Sequence, residues 1–197
     1  MTQHEPMNIA GSGGADAVCA GPAPSVRSQA LRLGAMGVLA LCWIALDQVV
    51  KFRLNAHAAG SVLSDPVAGL FRLHLVHNTG GAWSMFSDAT AALGVFSIVM
   101  CAALAAFAVH ERARISWPEL IGLGLVIGGG IGNAIDRFVL GYVVDFIDLA
   151  FMDFPVFNVA DICIVCGAIL GAVYYVLIYE KHDGRKQNGA TDPASGQ

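Results

Sequence analysis

Four apolar runs limit what this chain can fold into. Ala89 to Val109 gives 21 residues without a charge, Ile162 to Tyr179 gives 18, Leu120 to Ile135 gives 16 and Leu33 to Leu46 gives 14. A helix crossing the core of a bilayer needs roughly 20 mostly apolar residues, with a range of about 17–25. Two runs meet that length unaided. The others reach it when Trp117-Pro118 is added before one and Asp47-Gln48-Val49-Val50 after the other. The spacing predicts an all-α membrane protein with four transmembrane helices over residues 33–52, 89–109, 117–136 and 159–179, forming one membrane domain over 29–180. Charge agrees: 26 of 197 residues are charged, or 13%, against roughly 25% in a soluble domain. That balance excludes a disordered chain, a nucleic-acid binder with a basic face and most soluble enzymes.

The flanks give an orientation. Residues 1–28 are rich in Gly, Ala, Ser and Pro without periodicity and are expected to form a disordered tail, as are 181–197. Arg27 and Arg32 before the first run resemble the start of a cleavable leader, but no small-residue cleavage site follows and Asp47 to Lys51 continue the helical period. With the N-terminus inside, seven basic residues (Arg27, Arg32, Arg112, Arg114, Lys181, Arg185, Lys186) lie on the inner side and four (Lys51, Arg53, Arg72, Arg137) outside. This bias predicts both termini in the cytoplasm. Twelve of the charges then fall at the outer face, eight Asp and four basic residues.

Cysteine usage implies no disulfide framework. Cys42, Cys101, Cys163 and Cys166 sit in apolar runs and Cys19 in the tail. Cys163 and Cys166 form a C-x-x-C, which inside a spanning helix reads as small apolar packing. No phosphate loop, nucleophile elbow or zinc motif occurs, so neither metal nor cofactor is expected.

Two outer segments, 54–88 and 137–158, carry strand-like stretches: Leu70 to His77, with period-2 character, and Val143 to Asp148, rich in β-branched and aromatic residues. They predict a small extracytoplasmic sheet and loop subdomain on the bundle. The surrounding Trp83, Met85, Phe86, Phe146, Phe151, Met152, Phe154 and Phe157 suit a membrane surface.

The third helix begins at Ser116-Trp117-Pro118-Glu119, a capping-box pattern with Pro in the first turn. Gly124, Gly128 and Gly132 follow at i, i+4 and i+8, a ridge that lets a neighbouring helix approach closely. Gly129 and Gly130 add backbone freedom. Asn133, Asp136 and Arg137 share a face at its far end, either closing the helix through hydrogen bonds or lining a site.

Ionisable groups converge on the outer ends of the helices: Asp47 and Lys51, Asp136 and Arg137, and Asp161, with Asp145 between the last two helices. Such groups near membrane depth are expensive and usually face an interior site. Structural readings remain open for each. Asp47 and Lys51 at i, i+4 suit an anchoring ion pair. Arg137 beside Asp136 would hold that carboxylate ionised. Asn158 is a good N-cap, so Asp161 could simply stabilise a helix start. Asp145 and Asp148 could be loop acids. Two carboxylates close together in a low dielectric do more, since like charges a few ångström apart cannot both ionise. One keeps a proton for a scissile carbonyl or amine, and the other can deprotonate water. Asp145 and Asp161 are the best pair for this, each set among apolar residues with no basic residue within four positions.

Five segments in order (Asp47 to Lys51, Asn78 to Ser84, Gly129 to Arg137, Val143 to Phe146 and Phe157 to Asp161), together with four spans, resemble the bacterial lipoprotein signal peptidases, the type II signal peptidases. The resemblance covers residues 30–180. It implies an intramembrane aspartic endopeptidase that removes the signal peptide of prolipoproteins bearing a lipobox, just before the diacylglyceryl-modified cysteine. Asp145 and Asp161 would be its catalytic dyad, and Asn78, Asn133 and Arg137 would contact substrate. Asp47, Lys51, Gly80, Asp136 and Asn158 would support the site. It also implies a bacterial inner-membrane location, a site at the periplasmic face, membrane lipids as surroundings, inhibition by globomycin-like cyclic peptides and no nucleic-acid partner. Nothing in the sequence demands more than a monomer. The sequence departs from the family pattern in its long N-terminal tail, in Gly81 and Trp83, and in a slightly short stretch between the two aspartates. A proton-coupled transporter is disfavoured, since there is no internal repeat or broken-helix pair and the acids lie at one face. An assembly factor with structural ion pairs is the remaining alternative.

Overall fold

The computed structural model describes residues 25–81, 85 and 89–189. Most of the two expected tails, and Trp83, Ser84 and Phe86, lie outside these described residues. Four helices account for most of the described chain: α1 (Val26–Leu54), α2 (Thr90–His110), α3 (Trp117–Val139) and α4 (Val159–Gly189). All four are long and apolar enough to span a membrane. Two strands, β1 (Phe71–Asn78) and β2 (Val143–Leu149), form an antiparallel sheet.

The helices outrun the apolar segments at both chain ends. Residues 25–28, expected in the tail, cap and open α1, where the Ser25 side chain accepts a hydrogen bond from the Ser28 backbone N–H at 3.2 Å. Residues 181–189 continue α4 instead of leaving it. Hydropathy marks only what the bilayer covers, while polar helix formers such as Glu, Lys, Arg and Gln prolong a helix into water.

α3 is the hub, with α1, α2 and α4 each packed chiefly on it. Half of its most apolar stretch is buried, against 11–17% for the other helices, which leave many apolar side chains exposed. Its start is the expected one: Ser116 N–H donates to Glu119 Oε2 at 2.7 Å, and Ser116 Oγ accepts from Glu119 N–H at 3.4 Å. Glycines account for its central place. A Cβ on Gly128 would lie 3.0 Å from the Ala40 carbonyl oxygen of α1, and one on Gly122 would lie 2.8 Å from that of Gly167 in α4. Gly129 and Gly130, expected to add backbone freedom, are instead packing positions: Gly129 lies under the Ala160 carbonyl of α4 and Gly130 under Cys101 Sγ of α2. At the end of the bundle where α1 and α3 begin, the Arg32 guanidinium donates to the Ile115 carbonyl and lies 5.4 Å from the centre of the Trp117 ring.

The sheet sits at the opposite end, where β2 touches α1 and α3. Phe71 pairs with Leu149 and Asn78 with Val143, with an irregularity between Leu73 and Val76. Gly141, at φ +82°, makes the turn from α3 into β2. Phe146 was expected at the membrane surface, but it is buried in the core beneath the sheet, whereas Met85, Phe151, Met152 and Phe154 are exposed. Residues 143–146 of β2 are all buried, so both faces of the strand are covered at Phe146.

Candidate active site

Where the sheet meets the bundle, a cavity of about 1010 Å³ opens, lined by β1, β2, the end of α3 and the first turns of α4. Asp145 and Asp161 both face it, together with Asn78, Asn133 and Arg137. Asp47, Lys51 and Asp136 lie behind its wall, all 2% exposed.

The hidden layer is a closed ion cluster. Lys51 Nζ donates to Asp47 Oδ2 at 2.9 Å, to Asp136 Oδ2 at 2.9 Å and to Asn133 Oδ1 at 2.8 Å, which uses all three of its protons. Gln48 Nε2 donates to Asp136 Oδ1 at 2.9 Å and lies 3.3 Å from Asp47 Oδ2. Backbone N–H groups complete it, Ala160 donating to Asp47 Oδ1 and Val144 to Asp136 Oδ2, both at 3.1 Å. The carboxylates thereby tie α4 to α1 and β2 to α3. The i, i+4 pair of Asp47 and Lys51 is therefore real, but it is part of a three-helix lock. The expected partnership of Asp136 with Arg137 is not found: adjacent residues point about 100° apart on a helix, so Asp136 turns to Lys51 while Arg137 reaches the Asn133 and Gly80 carbonyls, both at 3.4 Å.

Amides carry this order forward to the two aspartates. Because Asn133 Oδ1 must accept from the Lys51 ammonium, its Nδ2 is turned to Asp161 Oδ1 at 2.8 Å. Asn158, fully buried, donates from Nδ2 to Asp145 Oδ1 at 2.7 Å and to Asn133 Oδ1 at 3.0 Å. It also forms a reciprocal cap with Asp161: its N–H donates to Asp161 Oδ2 at 3.0 Å, and its Oδ1 accepts from Asp161 N–H at 3.1 Å. Asn78 Nδ2 supplies the last bond, to Asp145 Oδ2 at 2.9 Å. Each carboxylate oxygen thus receives one N–H, and among the described residues neither aspartate forms an ion pair. The N-cap reading of Asp161 and its place in the cavity coexist.

Burial, and next the neighbouring charge of Asp161, push the Asp145 carboxyl up to about 7, against the hydrogen bonds from Asn78 and Asn158 and the more distant Lys51. A carboxyl at 3% exposure that holds its proton near neutrality is suited to acid catalysis.

Of the three residues expected to contact substrate, Asn78 and Asn133 already spend their amides inside the site, since Asn78 Oδ1 also accepts from Gly80 N–H at 2.9 Å. Arg137 is different: its two bonds are long and its buried Nε has no partner among the described residues. It retains donors for a ligand. Among the described residues no group of three or more His, Cys, Asp or Glu side chains could hold a metal.

Residues 39–177 match the family described as signal peptidase (SPase) II. The chain belongs to that family. It is accordingly an aspartic protease of the membrane-spanning kind. The chain is 38% identical over 141 residues to a lipoprotein signal peptidase of Dehalococcoides mccartyi, covering 69% of this chain and 85% of that one. It is 40% identical over 136 residues to the lipoprotein signal peptidase of Nostoc punctiforme, covering 66% and 85% of the two chains. Its fold is similar to a bacterial membrane enzyme solved by the in meso method, with a TM-score of 0.63 at 25% identity over 83% of this chain and 95% of that one.

Several contributors had no signal in the sequence. Gln48 stands in a motif, but nothing showed that it bridges two carboxylates. His77 stacks on Tyr142 with ring centres 3.9 Å apart, and its Nε2 lies 2.8 Å from Asn55 Oδ1, which closes the sheet onto the end of α1. Burial lowers the His77 pKa. Asp148 is no idle loop acid, since its Oδ2 accepts from Arg72 Nε at 2.7 Å.

Proposed function

We propose that this signal peptidase II removes the signal peptide of diacylglyceryl-modified lipoprotein precursors, cutting immediately before the lipid-modified cysteine with Asp145 and Asp161 as an acid–base pair. The observation that carries the proposal is the amide cradle: a buried Asp145 and a half-buried Asp161 face one cavity, each with both carboxylate oxygens held and, among the described residues, neither paired with a cation at contact distance.

The two roles follow from the surroundings. Asp145, raised to about 7, carries the proton. Asp161, in the first turn of α4, sits where helix N–H groups favour an anion. Asp161 takes a proton from a water molecule as the oxygen of that water bonds to the scissile carbonyl carbon. Asp145 gives its proton to the carbonyl oxygen, leaving a neutral tetrahedral diol. For breakdown, Asp161 passes its proton to the amide nitrogen as the C–N bond breaks, and Asp145 recovers one from the diol. Atoms and charge balance without any further reactant. Arg137, with its spare donors, binds a substrate carbonyl that has left water behind.

The cavity sits at the helix ends where the sequence places the outer face, and the inside bias of basic residues supports cytoplasmic termini in a bacterial inner membrane. The cavity and both aspartates are formed within one chain, which supports a monomer as the working unit. The test is to incubate the purified protein in detergent with a diacylglyceryl-modified precursor. A mass loss equal to the signal peptide, blocked by a globomycin-type cyclic peptide, is expected. An intact precursor would overturn the proposal.

A further inference from the structure

β1 lines the cavity along much of its length, through Arg72, His74, Val76, His77 and Asn78. Asn78 holds Asp145 at one end, and the other end carries a charged group that the proposed chemistry does not use. There Asp148 Oδ2 accepts from Arg72 Nε at 2.7 Å and lies 3.3 Å from His74 Nδ1. The bond at Nε fixes the plane of the guanidinium while leaving its two terminal nitrogens unbonded among the described residues, and the Arg72 side chain is 42% exposed. Asp148, at 12%, is the shielded partner. A guanidinium oriented in this way recognises carboxylates through paired N–H donors.

The cavity is also polarised. Past the aspartates Ile162, Val165 and Cys166 of α4 line it, whereas the sheet end carries the charged and polar Arg72, His74, Asp148 and Asp153 beside the apolar Phe154 to Phe157. A membrane-bound signal peptide fits the first end, so the chain on the far side of the cut leaves by the second. Arg72 lies opposite Asp148, and Asp148 is three residues along β2 from Asp145, since β1 carries one extra residue between Leu73 and Val76. At about 3.3 Å per residue that is roughly 10 Å, which an extended substrate crosses in about three residues.

We propose that Arg72, oriented by Asp148, forms a subsite for an acidic side chain about three residues after the lipid-modified cysteine, on the mature side of the cut. This rests on the proposed dyad and cleavage position, and deepens them by assigning a substrate preference.

The test uses the full-length protein in detergent and synthetic diacylglyceryl-cysteine precursors that share one signal peptide and lipobox. They differ only in carrying Glu-Glu or Lys-Lys at the third and fourth positions after the cysteine. The readout is the ratio of kcat/KM between the two, which does not depend on the absolute activity of a variant. The wild-type protein should favour the acidic substrate by about fivefold, the scale of a partly exposed charge pair. Arg72→Gln should bring the ratio close to one, and Arg72→Lys, which keeps the charge without the paired donors, should restore only part of it. A wild-type ratio near one, an unchanged ratio in Arg72→Gln, or Arg72→Lys matching the wild type would overturn the subsite. Failure of the wild-type protein to cut either substrate would instead strike the dyad reading beneath it.

Discussion

Raising the pH through neutrality should switch the enzyme off by removing one proton. Burial and the adjacent Asp161 hold the Asp145 carboxyl up to about 7, so Asp145 keeps its proton below that value and loses it above. The protonated fraction falls to about one-tenth a unit above the midpoint and about one-hundredth two units above. kcat/KM measured on a lipidated precursor in detergent should therefore decline about tenfold per unit between pH 8 and 9. Stability should shift in the same direction. A carboxyl whose folded pKa lies above its unfolded value of 3.8 stabilises the fold fully below that value, and this contribution disappears as pH rises through 7. Between pH 5 and 8 the loss is about two pKa units, or about 3 kcal/mol. Denaturant or thermal unfolding at the two pH values reads that loss, and Asp145→Asn, which cannot ionise, should lack it. A kcat/KM flat from pH 7 to 9, with equal stability at pH 5 and 8, would refute the raised carboxyl and the acid role derived from it.

Other perturbations address the scaffold. Asn78→Ala removes a donor that favours the Asp145 anion, so the alkaline limb of the pH profile should move to higher pH; an unmoved limb would mean that this bond does not tune the acid. Lys51→Met leaves Asp47 and Asp136 buried without their cation and should cost about 3–5 kcal/mol of stability, read by thermal unfolding in detergent. Gly129→Ala drives a methyl group into the Ala160 carbonyl and should lower stability by about 1–3 kcal/mol. It should also depress kcat, because Asp161 follows Ala160; normal turnover would show that α3 and α4 can separate without disturbing the pair.

The spans and the sheet were legible because each rests on local pattern, and local pattern also singled out Asp145 and Asp161, which the fold brings to one cavity. Apolar length marks a helix that crosses a membrane, and acids isolated among apolar residues stand out. Partnerships made across the structure were not legible. Asp136 next to Arg137 suggested a pair, yet the choice between Arg137 and Lys51 depends on how α1 crosses α3, and that depends on which helix Gly124, Gly128 and Gly132 face. Asn158 read as a cap, and it is one. That its amide also joins Asn133 to Asp145 follows from the close approach of α4 at Gly129, which spacing cannot measure. The pairing of Arg72 with Asp148 depends on a strand register that shifts between Leu73 and Val76, and no residue announced that irregularity. The ends of α1 and α4 were missed because hydropathy reports where the bilayer stops and not where the helix does.

The account stands most directly on the two carboxylates. Asp145→Asn and Asp161→Asn, each purified in detergent and shown to be folded by its thermal transition, should leave a lipidated precursor at its full mass under conditions where the wild-type protein cuts all of it. Signal-peptide release by either variant at a rate within about tenfold of wild type would contradict the account, since loss of an acid or base that acts in the transition state removes at least about a hundredfold.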